Sequence, residues 1–230
     1  MKGILLCGIL LFSSSVLAQN REVFGGIFPE AAVTVKFAKF YSSTFKIESI
    51  HQLVVDRDAE RPNWRYQHES TEFQFFVGYK VSPLSDFSVA YIFAVDGDGP
   101  NTHGLTEQLG VVQLLPYFKL GHRFRFDQTF FPKGEGPARL RVRYRLAMDL
   151  PLEGLEIDPN EFFLLVSDEV LVDWRDGRSD LENRFVAQLG YKFDKWGKLQ
   201  GGLDYRIDRL FETGLRQRFW LKFSYFVTLK

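Results

Sequence analysis

The sequence lacks the features that mark several common classes of protein. It contains one cysteine, Cys7, so no second thiol is present to form a disulfide bond or a thiolate metal site with it. No apolar run approaches the length of about 18 residues that a transmembrane helix needs. The 29 basic and 29 acidic residues cancel, which argues against nucleic-acid binding because that function requires a strongly positive field. Neither a phosphate-binding glycine loop nor a zinc-ligand spacing occurs, so we predict no cofactor and no metal.

The N-terminus has the organisation of a secretory signal peptide. Lys2 provides a positive charge, residues 4–12 form a short apolar segment, and Val16-Leu17-Ala18 resembles a cleavage site. The apolar segment is too short to span a bilayer as a helix. We therefore predict a cleaved signal peptide over residues 1–18, followed by a single domain over residues 19–230.

The predicted mature sequence alternates polar and apolar residues with a period of two. The clearest case is 138–150, where every second residue from Arg139 to Arg145 is arginine and the residues between them are apolar or aromatic. Such alternation is typical of a β-strand whose two faces meet different surroundings. The 24 phenylalanines also favour strands. We predict strands near 33–41, 44–56, 71–81, 87–96, 104–119, 122–132, 138–150, 161–174, 181–193, 198–210 and 215–229.

The lengths of these segments and of their connections favour a barrel in a membrane. Segments of about 10–13 residues match tilted membrane-spanning strands, whereas soluble strands average about 5–6 residues. Short connections alternate with longer ones such as 57–70, 132–137 and 174–180, as in outer-membrane barrels. Such barrels have an even number of strands, so we add a strand at 23–28. The sequence thus predicts an all-β, antiparallel up-and-down transmembrane β-barrel of about 12 strands, or alternatively ten.

Energetics decides which strand face points inward in a membrane barrel. An arginine on the lipid face costs about 2–4 kcal/mol at the bilayer midplane, so a strand with several arginines must turn them towards the lumen. In the alternative, a soluble periplasmic barrel that carries an apolar ligand, the same arginines would face water. The membrane alternative predicts a lumen-facing polar ladder of Arg123, Arg125, Asp127, Arg139, Arg141, Arg143, Arg145, Asp149, Glu169, Glu182, Arg184, Asp204, Arg206 and Asp208.

The polar ladder allows more than one function. Its arginines can line a narrow porin-like channel for a small anionic solute, because arginine rings tune anion pores. Its acids are nearly as numerous as its arginines, so we favour salt bridges that fill a narrow lumen. A membrane-embedded lipid-modifying enzyme is the alternative from another class. Ser167, Asp168 and Glu169 form the one suggestive cluster for it, but no histidine lies nearby in the sequence, so we predict no catalytic residue and no enzyme.

Three motifs resemble the DUF2490 family: His122-Arg-Phe-Arg-Phe-Asp-Gln128, Arg141-Val-Arg-Tyr-Arg-Leu146 and Leu189-Gly-Tyr-Lys-Phe193. The resemblance covers 110–229 well and the N-terminal part loosely. Asp127 stands where the family pattern has Glu, and the chain ends Val227-Thr-Leu-Lys230, whereas many outer-membrane barrels end on an aromatic residue. The resemblance implies a signal-bearing outer-membrane barrel without known activity. We therefore expect a protein of the cell outer membrane, with outer-membrane lipid and the outer-membrane assembly machinery as partners.

Overall fold

All regular structure in the described part of the chain is β-strand. The computed structural model describes residues 22–57, 63–115, 118–210 and 215–229, and the predicted signal peptide lies outside these ranges. The strands are β1 (Glu22–Lys36), β2 (Tyr41–Arg57), β3 (Asn63–Ser82), β4 (Ser85–Asp96), β5 (Thr102–Leu114), β6 (Lys119–Phe130), β7 (Arg139–Pro151), β8 (Glu161–Arg175), β9 (Arg178–Lys192), β10 (Lys198–Asp208) and β11 (Arg216–Leu229). Within the described ranges, no helix is long and apolar enough to cross a membrane. The prediction of an all-β fold is confirmed.

The strands form a closed barrel. Each strand pairs in antiparallel fashion with the next one in the sequence, from β1 with β2 through to β10 with β11. β1 also pairs with β11 in parallel, from Glu22 opposite Arg216 to Val35 opposite Leu229. Closure between the first and last strands removes the open sheet edges that would otherwise template aggregation. The prediction of a barrel is therefore confirmed.

The predicted number of strands is wrong, because the described residues form eleven strands rather than about twelve or ten. β1 unites the segments that were predicted separately at 23–28 and 33–41. Its middle contains Pro29, Ala31 and Ala32, whose small side chains weaken the contrast between polar and apolar positions. An odd number of strands makes the first and last strands run in the same direction. The prediction of an entirely antiparallel barrel is therefore also wrong.

The two ends of the barrel carry connections of mixed length. At the end where β1 begins, called the upper end, the described connections are 97–101, 131–138 and 176–177. At the opposite, lower end they are 37–40, 83–84, 152–160 and 193–197. The connection predicted to be long at 174–180 is a tight turn, because Asp176 and Gly177 adopt φ of 52° and 72°, as a type I′ hairpin requires. The long connection predicted at 57–70 is largely strand, since β3 begins at Asn63. The predicted alternation of short and long connections is therefore wrong.

Burial alternates along the strands and separates charged from apolar side chains. The buried charged residues are Glu30, Arg125, Asp127, Glu169, Glu182, Asp204, Arg206, Asp208 and Arg218. The exposed apolar residues on strands include Phe45, Leu105, Phe124, Val142, Leu189 and Leu221. A small apolar cluster of Phe163, Leu165 and Val186 packs with Ile157 of the connection 152–160. The barrel interior is therefore mainly polar, with Phe28 and Trp220 among its buried apolar residues, and the outer face is mainly apolar.

Candidate functional site

The polar ladder lies on the interior wall formed by β6 to β10. Most of its residues line a cavity of about 430 Å³, which Lys46, Glu48 and Lys222 line from the opposite wall. Two ladder residues lie elsewhere. Asp208 is buried and accepts a hydrogen bond of 2.7 Å from Arg216 Nε. Asp149 lies near the lower end, with its Oδ2 3.7 Å from Lys198 Nζ.

Strand register brings arginines of five strands into a single cross-strand row, called the arginine row below. Its members, from β6 to β11, are Arg123, Arg145, Glu169, Arg184, Arg206 and Arg218. Residues directly opposite each other on one sheet face have their Cβ atoms about 4.5–5.5 Å apart, and like charges in such pairs repel. Glu169 is the sole acid of the row, so the row depends on carboxylates from neighbouring rows.

Carboxylates two residues away along the same strands compensate much of this charge. Arg206 donates two hydrogen bonds to Asp204, of 2.8 and 3.0 Å. Arg184 Nε donates a hydrogen bond of 2.6 Å to Glu182, and Arg218 Nη2 lies 3.1 Å from the same carboxylate. Buried charges are tolerated only when they are paired and hydrogen-bonded. The interior therefore consists of interlocked ion pairs.

Glu169, the acid of the arginine row, contacts three arginines. Its Oε1 accepts a hydrogen bond of 2.7 Å from Arg123, and its Oε2 accepts one of 2.7 Å from Arg143. Arg184 Nη1 lies 3.9 Å from Oε2. One carboxylate thus holds guanidinium groups from three different strands.

Asp127 and Asp173 extend the network towards the upper end. Asp127 accepts hydrogen bonds from Arg125 Nε at 2.7 Å and from Arg143 Nη1 at 3.3 Å. Arg141 binds Asp173 in a bidentate manner, at 2.7 and 2.8 Å. Bidentate pairs between arginine and a carboxylate are among the strongest hydrogen-bonded contacts in proteins. Arg139 is more weakly held, with its Nε 3.9 Å from Asp173.

The opposite wall carries a second group of ion pairs, to which β1, β2 and β11 contribute. Glu30 accepts contacts from Lys46 Nζ at 2.7 Å and from Lys222 Nζ at 2.8 Å. Lys46 also contacts Glu48. The polar ladder omitted these residues. Glu30 lies in the part of β1 with little alternation, whereas Lys46, Glu48 and Lys222 fall on the polar positions of clearly alternating segments.

Three cations lie between two interior cavities. A second cavity, of about 540 Å³, extends towards the lower end, where Phe40 and Leu84 line it. Lys46, Arg123 and Arg125 line both cavities. These cations, called the cationic partition below, separate an upper chamber from a lower one.

The cluster of Ser167, Asp168 and Glu169 does not converge on one site. Ser167 and Glu169 are buried in the interior, whereas Asp168 points outward and accepts a hydrogen bond of 2.8 Å from Asn183. Successive residues of a strand point to opposite faces, so adjacent positions cannot share a site. In the described ranges, no three His, Cys, Asp or Glu side chains are grouped so that they could hold a metal ion.

A serine–histidine pair lies instead on the outer face of β2. Ser49 Oγ is 2.9 Å from His51 Nε2, and His51 Nδ1 is 3.0 Å from Tyr66 Oη. Thr71 Oγ1 lies 2.7 Å from Ser49 Oγ and 2.8 Å from His68 Nε2. The sequence contained a signal for this pair, because residues two apart on a strand share a face. We call these five residues the outer-face network.

A family model described as a protein of unknown function, DUF2490, matches residues 33–222. The chain belongs to the DUF2490 family. The match runs from within β1 to within β11, so it includes the N-terminal half, where the motif resemblance was loose. Comparisons with curated proteins and with solved structures gave no match. Membership of DUF2490 assigns no activity. The structural features of this DUF2490 chain that bear on its function are the charged interior and the apolar outer face of its barrel.

Proposed function

We propose that this DUF2490 protein is a non-enzymatic β-barrel of the cell outer membrane whose interior is closed by ion pairs. The main observation in support of this proposal is that the barrel exposes apolar side chains on its outer face and buries charged side chains inside, the reverse of a soluble barrel. Phe124 and Leu221 are 50% and 55% exposed on the outer face, whereas Arg206 and Asp204 are 4% and 2% exposed. A soluble barrel would bury the apolar side chains and place the charges in water.

The height of the apolar outer face matches a membrane. On β7, the outward residues run from Leu140 to Leu150. This step of ten residues (150 − 140) spans about 25 Å along the axis for a strand with a rise of ~3.4 Å per residue and a tilt of ~40°. The apolar band of outer-membrane barrels is also about 25 Å tall.

Aromatic residues mark both ends of this apolar face. Exposed aromatic side chains near the lower end are Phe37, Phe40, Tyr41, Tyr79 and Trp196. Those near the upper end are Trp64, Tyr66 and Trp174. Aromatic girdles of this kind lie at the two water interfaces of membrane barrels. Outer-membrane lipid is therefore the partner of the outer face, and the outer-membrane assembly machinery is the partner that would insert it.

The ion pairs favour a structural role over an open channel. A continuous pore would require the cationic partition to move aside, and its members are held by Glu30, Asp127 and Glu169. We expect no steady conductance from the protein in a planar bilayer. A stable, anion-selective conductance would instead support a narrow porin-like channel.

Cell fractionation tests the proposed location. We expect the protein in the outer-membrane fraction, with an unheated form that migrates faster in gels than the heated form, because a closed barrel resists detergent unfolding. Recovery in the soluble periplasmic fraction would overturn the proposal and favour the barrel that carries an apolar ligand.

The outer-face network favours a lipid-modifying enzyme as the second candidate. Ser49 and His51 are within the hydrogen-bond reach that a nucleophile and its base require. They follow the apolar residues Phe45 and Ile47 on the outer face of β2, near the upper aromatic residue Tyr66. This position gives the pair access to the ester groups of membrane lipids under the proposed orientation.

Phospholipid hydrolysis in mixed micelles tests this second candidate. If the enzyme alternative holds, the protein releases fatty acid, Ser49→Ala abolishes the release, and Ser43→Ala does not. Ser43 lies on the same face of the same strand and serves as the matched control. No release by the unaltered protein would remove the enzyme alternative.

A further inference from the structure

Arg145 differs from the other arginines of the arginine row. Each of the others has a carboxylate within ion-pair distance, as Arg123 has Glu169 and Arg184 has Glu182. Arg145 forms no ion pair with any carboxylate of the described residues, although it lines the upper chamber. It is therefore a charged guanidinium group that faces a cavity without a counter-charge of its own.

Glu169 does not form an ion pair with Arg145, although the two are direct cross-strand partners. Arg123 and Arg143 already occupy its two oxygens, each at 2.7 Å. The other side of Arg145 faces Arg123, its partner on β6. Arg145 thus lies between a carboxylate that is paired with other arginines and a second arginine.

The directly paired charges next to Arg145 do not balance, although the cavity as a whole is lined by nearly equal numbers of cations and acids. Arg123, Arg125, Arg143 and Arg145 contribute four positive charges, and their acceptors Asp127 and Glu169 contribute two negative charges, which leaves two positive charges (4 − 2). The Nε atoms of Arg123, Arg143 and Arg145 are buried and have no hydrogen-bond acceptor among the described residues. Uncompensated buried charge and unmade hydrogen bonds are both costly. An anion in the cavity would supply the missing counter-charge.

We propose that Arg123 and Arg145 bind one small oxyanion, of the class of inorganic phosphate or sulfate, at the boundary between the two chambers. Guanidinium groups match such anions with paired N–H donors, and these two lie opposite each other on neighbouring strands and line the same cavity. Ser167, on β8, lies diagonally across from Arg145 and lines the same cavity. Its hydroxyl group adds a donor to the site.

The site deepens the proposed function by naming the class of solute that the closed interior holds. The proposed anion site rests on one part of the proposed function, the closed barrel with its interior charges. It does not depend on the location in the outer membrane. Binding in detergent micelles therefore tests the site alone, and fractionation tests the location alone. Because Arg123 belongs to the cationic partition, the bound anion would lie where any solute must pass between the chambers.

Calorimetric titration of the folded protein in micelles with inorganic phosphate, at constant ionic strength, tests the proposal. We expect saturable binding of one phosphate per barrel and competition by sulfate. Arg145→Gln should weaken binding by about 10- to 100-fold, the range expected for losing a hydrogen bond from a charged group. Arg145 has no carboxylate partner, so this variant leaves no acid orphaned and should fold.

Arg139→Gln is the matched control. It removes the same charge from the same face of β7, six residues (145 − 139) or about 20 Å along the strand from Arg145. We expect it to bind phosphate within about twofold of the unaltered protein, because screening limits the effect of distant charges. No saturable binding by the unaltered protein would overturn the proposal. Equal weakening in Arg139→Gln and Arg145→Gln would also overturn it, because the attraction would then be diffuse.

Discussion

Replacing Glu169 by glutamine perturbs the ion-pair network at its most connected acid. Glu169 is 5% exposed, and its two oxygens accept hydrogen bonds from Arg123 and Arg143. Glutamine preserves the size of the side chain but removes its charge, so both guanidinium groups stay buried without this counter-charge. Breaking a buried ion pair by removing one partner costs about 3–5 kcal/mol. We expect the free energy of unfolding to fall by about that amount.

Urea-induced unfolding in detergent micelles, followed by tryptophan fluorescence, measures this change, since Trp220 is fully buried. Asp168→Asn is the matched control, because Asp168 faces outward and its described partner is Asn183. We expect this control to change stability by less than about 1 kcal/mol. Adding Arg123→Gln to Glu169→Gln should restore part of the loss, because Arg123 has Glu169 as its carboxylate partner among the described residues, and one orphaned cation is then absent. Unchanged stability of Glu169→Gln, or an equal loss in Asp168→Asn, would refute the reasoning.

Other substitutions test the outer face, the packing and a turn. Tyr144→Arg should lower the stability in lipid vesicles by about 2–4 kcal/mol, because position 144 lies near the middle of the apolar band from Leu140 to Leu150, and Tyr144→Phe is its control. Gly190→Ala should cost about 1–3 kcal/mol in urea unfolding, because a Cβ there would overlap the buried ring of Phe163; no loss would contradict this contact. Gly177→Ala should lower the free energy of unfolding by about 1–2 kcal/mol in the same assay, since the φ of Gly177 is 72°. Ala147→Gly, within a strand, is the comparison. If Gly177→Ala lowers the free energy of unfolding no more than Ala147→Gly does, the turn geometry at Gly177 is contradicted.

The strand faces could be predicted from the sequence because their physical signal is local. In β7, arginine and apolar residues alternate without interruption from Arg139 to Leu146, and a period of two fixes which residues share a face. The boundaries predicted at 138–150 agree closely with Arg139–Pro151. The same reasoning predicted β1 poorly, because Gly25, Gly26 and Pro29 interrupt the alternation of polar and apolar side chains along this strand.

The arginine row could not be predicted, because alternation fixes the face of a residue but not its cross-strand partner. The partners of Arg145 depend on the register of β6, β7 and β8, and register depends on turn geometry and bulges. Register shifts occur between Gly25 and Gly26 and between Ile50 and His51. The sequence therefore indicated many interior arginines without indicating which ones oppose each other.

Part of the outer-face network has a local signal in the sequence. Ser49 and His51 are two residues apart on a predicted strand, so their shared face followed from the sequence alone. The contribution of Tyr66 and Thr71 could not be foreseen, because it requires the pairing of β2 with β3. Residues two apart on a strand share a face, as Ser49 and His51 do, whereas the adjacent residues Ser167 and Asp168 do not.

The orientation of β7 residues towards lipid or towards the interior tests the central claim most directly. Single substitutions to cysteine from Leu140→Cys to Leu146→Cys, in a chain carrying Cys7→Ser, allow a spin label to report contact with oxygen dissolved in lipid. We predict high oxygen accessibility at Leu140, Val142, Tyr144 and Leu146, and low accessibility at Arg141, Arg143 and Arg145. The reverse pattern, or no alternation, would contradict a barrel with an apolar outer face in lipid and a charged interior.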